Sequence, residues 1–268
     1  MCNHKKFTEN CRDCMQRYLQ VKPYAHTRPL EFVGRCKERR YYGLELEIEC
    51  NCSSPSEVLD TVKDHLVDAW EFKRDGSLVN GIEFESQPIT LNLWLTGRGD
   101  QDFLRFIKHL PKDCRSHDTV TCGLHIHVNR NSFKDEDEVD DASKIYYFVN
   151  KYQKQLEKLG RRKWNNYCQA GEIAFKNYDI WGERKEALNI TNSKTLEFRL
   201  FKGTLYVPTI KASISLVAAI CEIVPQFSKV ELENEDCWAK LMDRIVNGPN
   251  KARYNIYLKP YLRKKGMI

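Results

Sequence analysis

The sequence predicts an α+β fold in which a curved, largely antiparallel sheet carries helices on its outer face. Three observations support this class. Four segments alternate between apolar and ionisable residues, which is the period of a half-buried strand. Segments with the period of an amphipathic helix lie between them. The chain has 268 residues, of which 41% are hydrophobic, and this suffices for the core of one large domain.

Composition limits the class of protein and its location. The formal net charge of +6 is compatible with an anionic partner but does not require nucleic acid. The first ten residues are polar and charged, so we expect no signal peptide. The apolar run 214–224 is too short for a bilayer and includes Glu222. We therefore expect a cytoplasmic protein without a membrane partner, whose eleven cysteines are reduced apart from one metal cluster.

The first 38 residues are expected to form a small zinc-binding segment, followed by the main domain over residues 39–268. A C-x2-C pair is the usual half of a zinc site, and a short segment with few large apolar residues needs such a ligand to fold. A tail without metal is the alternative, and the spacing leaves both interpretations open. The candidate zinc ligands are Cys2, His4, Cys11 and Cys14.

The first part of the main domain is predicted to run strand, helix, turn, strand. RRYYGLELEIEC alternates apolar and acidic residues and predicts a strand. Residues 54–70 predict a helix that is capped by Ser54 or Ser56. The Asp-Gly pair in KRDGSL predicts a turn. GIEFESQPI then predicts a second strand, which ends at Pro88.

The second part continues with helices between two further strands. A helix is predicted over about residues 90–110, and CGLHIHVN follows as the third strand. The acidic run KDEDEVDD opens a helix over residues 135–159, because acids suit the N-terminal end of a helix dipole. SKTLEFRLFKGTL predicts the fourth strand, and residues 208–227 predict a buried helix. The C-terminal region is left open.

The four predicted strands each carry ionisable residues on one face and apolar residues on the other. If they are neighbours, the ionisable groups meet, because alternate side chains of a strand share a face. Ordinary solvated faces mix charge signs, and like charges across a sheet repel each other, whereas here carboxylates accumulate without lysine. A solvated sheet face remains the alternative. The ionisable groups are Glu45, Glu47 and Glu49, then Glu83 and Glu85, then His125 and His127, then Glu197 and Arg199.

Clustered carboxylates must be neutralised by raised pKa values or by cations. Carboxylates with one or two imidazoles suit Mg²⁺ or Mn²⁺ better than zinc. Divalent ions beside an arginine favour phosphoryl transfer, because both offset the charge of the transferred group. The sequence has neither a P-loop nor a Gly-rich dinucleotide motif. If ATP binds, it therefore binds through metals and this face.

Four segments in this order, YYGLELEIE, RDGSL with GIEFESQPI, CGLHIHVN and TLEFRLFKGTL, resemble the amidoligase family of carboxylate–amine ligases. CGLHIHVN is also similar to the S-G-M-H-x-H-x-S strand of glutamine synthetases, and LEFR is similar to their E-x-R strand. The resemblance covers about residues 40–215. It implies a glutamine-synthetase-like catalytic domain over residues 39–268. It also implies an ATP- and Mg-dependent ligase that forms an amide or isopeptide bond through an acyl phosphate.

The resemblance further implies roles for single residues. Arg199 would bind phosphate or substrate, and His127 would lie near the nucleotide. Asp75, in the D-G-S turn, would orient the incoming amine. Arg184 and Asn189 match a nucleotide-binding stretch of the family, although an ordinary helix-to-strand junction explains them equally well. The implied metal ligands are Glu45, Glu47, Glu83, His125 and Glu197.

Several questions stay open at this level. Glu49 and Glu85 are either ligands or solvated strand ends. The stretch RRKWNNY, residues 161–167, either contacts a polyanion or forms a solvated loop. The carboxylate and amine substrates could be small amino acids, peptide ends, protein side chains or a modified nucleotide. The oligomeric state is not implied.

Two other functions fit parts of the pattern. A nuclease or kinase could use the same acidic face for metal-dependent phosphoryl transfer, but it would form no amide. A non-enzymatic zinc-bearing binding module would tolerate Glu45→Ala and Glu197→Ala. A degenerate family member that binds ATP without ligating is a further possibility. The accumulation of acids and imidazoles on one face favours the ligase.

Overall fold

One open antiparallel sheet organises the computed structural model, which describes residues 20–34, 39–66, 68–133, 138–176 and 183–268. The candidate zinc ligands Cys2, His4, Cys11 and Cys14 lie outside the described residues. The strands are β1 (Tyr41–Cys50), β2 (Trp70–Lys73), β3 (Gly81–Ser86), β4 (Ile89–Thr90), β5 (Cys114–Arg115), β6 (Gly123–Asn129), β7 (Leu188–Asn189) and β8 (Thr195–Lys202). Their order is β2-β3-β1-β6-β8-β7, and β4 and β5 pair with the two ends of β1.

The four strands predicted from alternation are neighbours, in the order β3-β1-β6-β8. Glu47 is the Cα partner of Glu83, and Glu45 is the Cα partner of His125. Because side chains directly opposite each other lie on the same side of a sheet, the ionisable residues of all four strands share one face, which we call the site face. The α+β class and the adjacency of these strands are therefore confirmed.

The opposite face of the same strands, which we call the core face, is fully buried. Its side chains belong to one hydrophobic cluster that also contains the apolar residues of the helices. Burial of apolar area is the main favourable term in folding, so this face supplies stability. The central residues, all at most 1% exposed, are Leu44, Leu46, Ile48, Ile82, Phe84, Leu124, Ile126, Val128, Leu196, Phe198 and Leu200.

Helices surround the sheet, and α1 begins at the predicted cap. Ser54 accepts a hydrogen bond from the backbone of Glu57, and the Glu57 side chain accepts one from the backbone of Ser54. In the described ranges the α-helices are α1 (Pro55–Val62), α2 (Leu91–Thr96), α3 (Glu138–Lys151), α4 (Gln153–Gly160), α5 (Val207–Ile223), α6 (Lys229–Asn234), α7 (Cys237–Asn247) and α8 (Leu258–Lys264).

Three predicted helices are shorter than expected. The helix predicted over 54–70 ends at Val62. Trp70, the last residue of the predicted range, instead begins β2. The helix predicted over 90–110 is wrong beyond α2, because Gly97 ends that helix and Gly99 has a φ of +56°. The helix predicted over 135–159 divides into α3 and α4, with Tyr152 between them outside helical backbone angles.

Helix α5 and the 3-10 turn that follows it form a continuous apolar helix. Over Val207–Gln226 it has 20 residues and a mean hydropathy of 1.7, which by length and composition is enough to cross a membrane. The expectation that this stretch is too short was therefore wrong. However, 83% of its most apolar window is buried inside the protein, as in the core helix of a globular fold.

Residues 20–34, which we call the edge segment, run along the sheet. Lys22 donates its backbone N–H to the Phe72 carbonyl at 2.7 Å and accepts from Arg74 at 2.9 Å. Further along, the Thr90 backbone N–H donates a hydrogen bond of 3.1 Å to the Val33 carbonyl. The part of the predicted N-terminal segment that is described is thus hydrogen-bonded to strands of the main domain.

Candidate active site

The site face lines a cavity of about 790 Å³. Glu49 and Glu85, which the sequence left open, are not among its lining residues. Every other predicted site residue within the described chain lies on its wall. These residues are Glu45, Glu47, Asp75, Glu83, His125, His127, Arg184, Asn189, Glu197 and Arg199.

One group of possible metal ligands comes from β1, β6 and β8. Glu45, His127 and Glu197 each offer one ligand atom, and these atoms lie within 4.8 Å of one another. His127 Nε2 lies 2.9 Å from a carboxylate oxygen of Glu45. His127 Nε2 is buried, and the Glu45 carboxylate is the partner that faces it, although the angle between them does not meet that of a hydrogen bond.

Opposite charges in this group outweigh the effect of burial. Burial alone would raise the pKa of Glu45, but His127 and His125 hold that pKa well below its usual range. Burial opposes protonation of His127, yet Glu45 and Glu197 raise its pKa to about 9. Burial likewise would raise the pKa of Glu197, and His127 lowers it. The group is therefore held together by the ion pair between His127 and Glu45 and by the attraction between His127 and the charge of Glu197.

The two histidines have different surroundings in this site. The Nδ1 of His125, a predicted metal ligand, lies 2.9 Å from Glu45 and 3.6 Å from Glu197. His127, predicted to lie near the nucleotide, is the histidine of the compact ligand group. His125 is 4% exposed, and its contact with Glu45 orients that carboxylate.

A second group comes from β1, β3 and the turn that precedes β3. Glu47, Asp75 and Glu83 also bring one oxygen each to within 4.8 Å of one another. Burial, followed by the charges of Glu45 and Glu47, raises the pKa of Glu83 to about 9. Burial also raises the pKa of Glu47. Three crowded acids with two raised pKa values form the kind of site that a cation relieves.

Arg199 and Asn189 both contact Glu197. Arg199 Nη1 donates to one carboxylate oxygen of Glu197, and Asn189 Nδ2 donates to the other at 2.8 Å. The side-chain oxygen of Asn189, Oδ1, in turn accepts a hydrogen bond of 2.9 Å from the Thr191 backbone N–H. Asn189 therefore fixes the orientation of Glu197, and this contact is an alternative to the predicted nucleotide contact.

The edge segment and β2 contribute lining residues that sequence reasoning missed. Tyr24 and His26 line the cavity, and the Tyr24 hydroxyl contacts Arg184 across its opening. Lys73 of β2 also lines the cavity and pairs with Glu85. Lysine is absent from the predicted positions of the four strands, and β2, which was not predicted, adds one to this face. The alternation in WEFK was the available signal, but it is only four residues long and its first residue lay in a predicted helix.

The open residues now have partners. Glu49 accepts a hydrogen bond from the Val79 backbone at 2.8 Å, so it holds the hairpin turn rather than facing the cavity. Glu85 pairs with Lys73, as described above. In the stretch 161–167, Lys163 is solvated, with its side chain 89% exposed, whereas Arg162 is buried and lines the cavity. The stretch is therefore not a uniformly solvated loop.

Comparison with known proteins agrees with the resemblance drawn from the strands. A family model described as "Putative amidoligase enzyme" matches residues 103–180. This range contains β6 with both histidines, and it contains Arg162. No curated protein matches the chain. The chain is thus similar to this family over that range, and the similarity indicates a ligase-type enzyme.

Proposed function

We propose that this protein is an ATP- and Mg-dependent carboxylate–amine ligase that forms an amide through an acyl phosphate. One observation carries the proposal. The adjacency of β3, β1, β6 and β8 brings two compact ligand groups and Arg199 onto the wall of one cavity. The similarity to the amidoligase family supports the same reaction class.

The donor atoms of the two groups fit magnesium or manganese. Glu47, Asp75 and Glu83 offer only oxygen, and the other group adds a single imidazole, that of His127. The raised pKa of Glu83 indicates that the second group lacks a cationic partner among the described residues. Bound there, divalent ions would offset the negative charge of the nucleotide phosphates and of the transferred group.

The reaction has two steps that balance without a further reagent. A substrate carboxylate oxygen takes the γ-phosphoryl group of ATP, which gives an acyl phosphate and ADP. An amine nitrogen then attacks the acyl carbon, phosphate leaves, and the nitrogen loses a proton. Arg199 would offset charge on the phosphoryl group. The partly exposed carboxylate of Asp75, fixed by a 2.7 Å hydrogen bond from Ser77, would orient the amine and accept its proton.

The test is calorimetric binding of ATP with Mg²⁺ to the wild-type protein, to Glu197→Gln and to Asp60→Asn. Glu197 lies in the cavity, whereas Asp60 is a control whose side chain is 75% exposed on α1. We expect wild type and Asp60→Asn to bind equally and EDTA to abolish binding. Glu197→Gln should bind at least about tenfold more weakly, because it loses a charged ligand.

Absence of nucleotide binding by a folded wild-type protein would refute the ligase proposal at its first step. Product analysis then separates the remaining functions. A protein that consumes ATP and forms an amide with a panel of carboxylates and amines is a ligase. One that releases ADP or cleaves phosphodiesters without any amide would be a kinase or a nuclease on the same site.

A further inference from the structure

Arg162 is a buried cation that forms no ion pair within the part of the chain that the structure describes. Its side chain lines the cavity, and the residue is only 9% exposed. Among the residues that the structure describes, its guanidinium makes one hydrogen bond, a long one of 3.4 Å to the Arg199 carbonyl. Burial lowers the pKa of Arg162, with Glu47 acting in the opposite direction. Its remaining donors open onto the cavity, where an acceptor from outside can bind them.

The neighbouring guanidinium is also incompletely paired. Arg199 donates Nη1 to Glu197, but its Nε is buried and has no acceptor among the described residues. The positive charge of Arg199 is one of the factors that lower the pKa of Arg162. Two cations that repel each other, each with unused donors on one cavity wall, are stabilised by an anion that contacts both.

One close backbone contact and one left-handed residue place Arg162 on the cavity wall. Helix α4 ends at Gly160, where a Cβ would lie 2.2 Å from the carbonyl oxygen of Leu200, so only glycine permits this approach to β8. Arg161 then adopts the left-handed conformation, with a φ of +59°, and redirects the chain. Arg162 therefore follows directly beside Arg199 on β8.

The close contact at a second glycine, Gly123, locates the guanidinium of Arg162 relative to the possible metal ligands. A Cβ on Gly123 would lie 3.2 Å from Arg162 Nη1 and 2.8 Å from His125 Nε2. The Gly123 N–H also donates to Glu47, a member of the second ligand group. Arg162 thus lies next to the second ligand group and also contacts the backbone of Arg199 on β8.

We propose that Arg162 and Arg199 together form a binding site for a tetrahedral phosphate oxyanion, with Arg162 as its second arginine. A carboxylate would be satisfied by one guanidinium in a two-point contact. Donors from two guanidinium groups suit the several terminal oxygens and the double charge of phosphate. This proposal rests on the proposed function only in naming the anion as the phosphoryl group that is transferred and then released.

The test uses inorganic phosphate as the probe, titrated calorimetrically in Mg²⁺ and in Mg²⁺ with ADP. The variants are Arg162→Met and a matched control, Lys163→Met, which removes the same charge from the exposed neighbour. Loss of a buried charged hydrogen-bond donor should weaken phosphate binding about 10- to 100-fold in Arg162→Met. Lys163→Met should stay within about twofold of wild type, because an exposed charge contributes little.

Several results would overturn the proposal. Phosphate binding to Arg162→Met at wild-type strength would do so, and so would a wild-type protein that binds ATP with Mg²⁺ but not phosphate. Acetate binding that depends on Arg162, without phosphate binding, would assign the site to a carboxylate instead. Phosphate binding in a protein that does not bind ATP would refute the ligase proposal and leave this one standing.

A second variant covers the case in which Arg162→Met does not fold. Arg162→Lys keeps the charge but loses the planar arrangement of donors, so it should weaken phosphate binding by several-fold. It should also leave the thermal unfolding of the phosphate-free protein close to wild type. Unchanged phosphate binding in this variant, with Lys163→Met also unchanged, would show that the donor geometry of Arg162 is not used.

Discussion

The two faces of the central strands share one backbone but have opposite effects on the free energy of unfolding. On the core face, residues such as Leu46 and Phe84 are completely buried among apolar neighbours. On the site face, Glu47 and Glu83 are each 5% exposed, and burial raises the pKa of both. The core face therefore stabilises the fold, and the site face makes it less stable until something binds there.

This contrast separates stability from function along a single strand. In β1, Glu45 and Glu47 each lie between two buried leucine or isoleucine residues. The register that buries the aliphatic residues also sets which acids meet, since a shift by one residue would exchange the two faces. Packing on the opposite side of the sheet thus sets which acids meet, and contacts within the site, such as that between His127 and Glu45, orient them.

The largest expected effect comes from opening the core face. Phe84 packs against Phe106 at 4.9 Å and Phe72 at 5.1 Å between ring centroids. Phe84→Ala should lower the free energy of unfolding by about 3–5 kcal/mol, because a cavity replaces the ring. Denaturant unfolding measures this change. Phe32→Ala, at a ring that is 49% exposed, is the control and should lose far less. Equal losses in both variants would contradict the assignment of stability to the core face.

A smaller and opposite effect is expected on the site face. The Glu83 pKa is raised from 4.5 to about 9 by burial and by Glu45 and Glu47. Between these pH values the folded protein holds a proton that the unfolded chain has released, so stability falls as pH rises through this window. Glu83→Gln should therefore stabilise the metal-free protein by about 1–2 kcal/mol at pH 8.

Unfolding in EDTA at several pH values tests this prediction. The wild-type protein should lose stability between pH 4.5 and 9, and Glu83→Gln should show a shallower decline. With Mg²⁺ the order should reverse, because the variant lacks a carboxylate of the second ligand group. A variant that is less stable than wild type in EDTA at pH 8 would show that the Glu83 carboxylate contributes stability, contrary to the comparison.

The smallest expected effect is at the N-terminus of α1, away from both faces of the sheet. It provides a reference for the changes in unfolding free energy expected at the two faces. Ser54 caps α1, whereas Ser56, the other candidate, is exposed within the helix. Ser54→Ala should cost about 1 kcal/mol of unfolding free energy, and Ser56→Ala should cost close to nothing. Neither should change the stabilisation by Mg²⁺ with ATP in thermal-shift measurements. A changed shift in Ser54→Ala would mean that the cap influences the site.

The central strands could be predicted because their alternation is long and regular. Each of β1, β3, β6 and β8 keeps apolar residues on one side over six residues or more, so only one face can be buried. Strand β2 could not be found in this way, since its four residues follow directly after a helical pattern. Pairing with β3 decides its conformation, and that pairing is a long-range contact.

The cavity wall beyond the sheet was less predictable. Tyr24 and His26 lie in a segment without periodicity, and contacts with residues distant in sequence, such as the hydrogen bonds to β2, bring them to the site. Arg162 stood in a basic stretch that the sequence left open, and its burial depends on the approach of Gly160 to β8. The break after α2 had a signal in Gly97 and Gly99, which a helix disfavours. Contacts distant in sequence decide the remaining positions.

The edge segment has a consequence for solubility. Strand β2 lies at one end of the sheet, and the outer backbone groups of Phe72 and Arg74 are hydrogen-bonded to Lys22. An uncovered strand edge is a template on which a second chain can add a strand and begin to aggregate. The segment that contributes Tyr24 and His26 to the cavity wall therefore also protects the sheet from intermolecular pairing through Lys22. Removal of the edge segment would expose both the cavity and a surface prone to self-association.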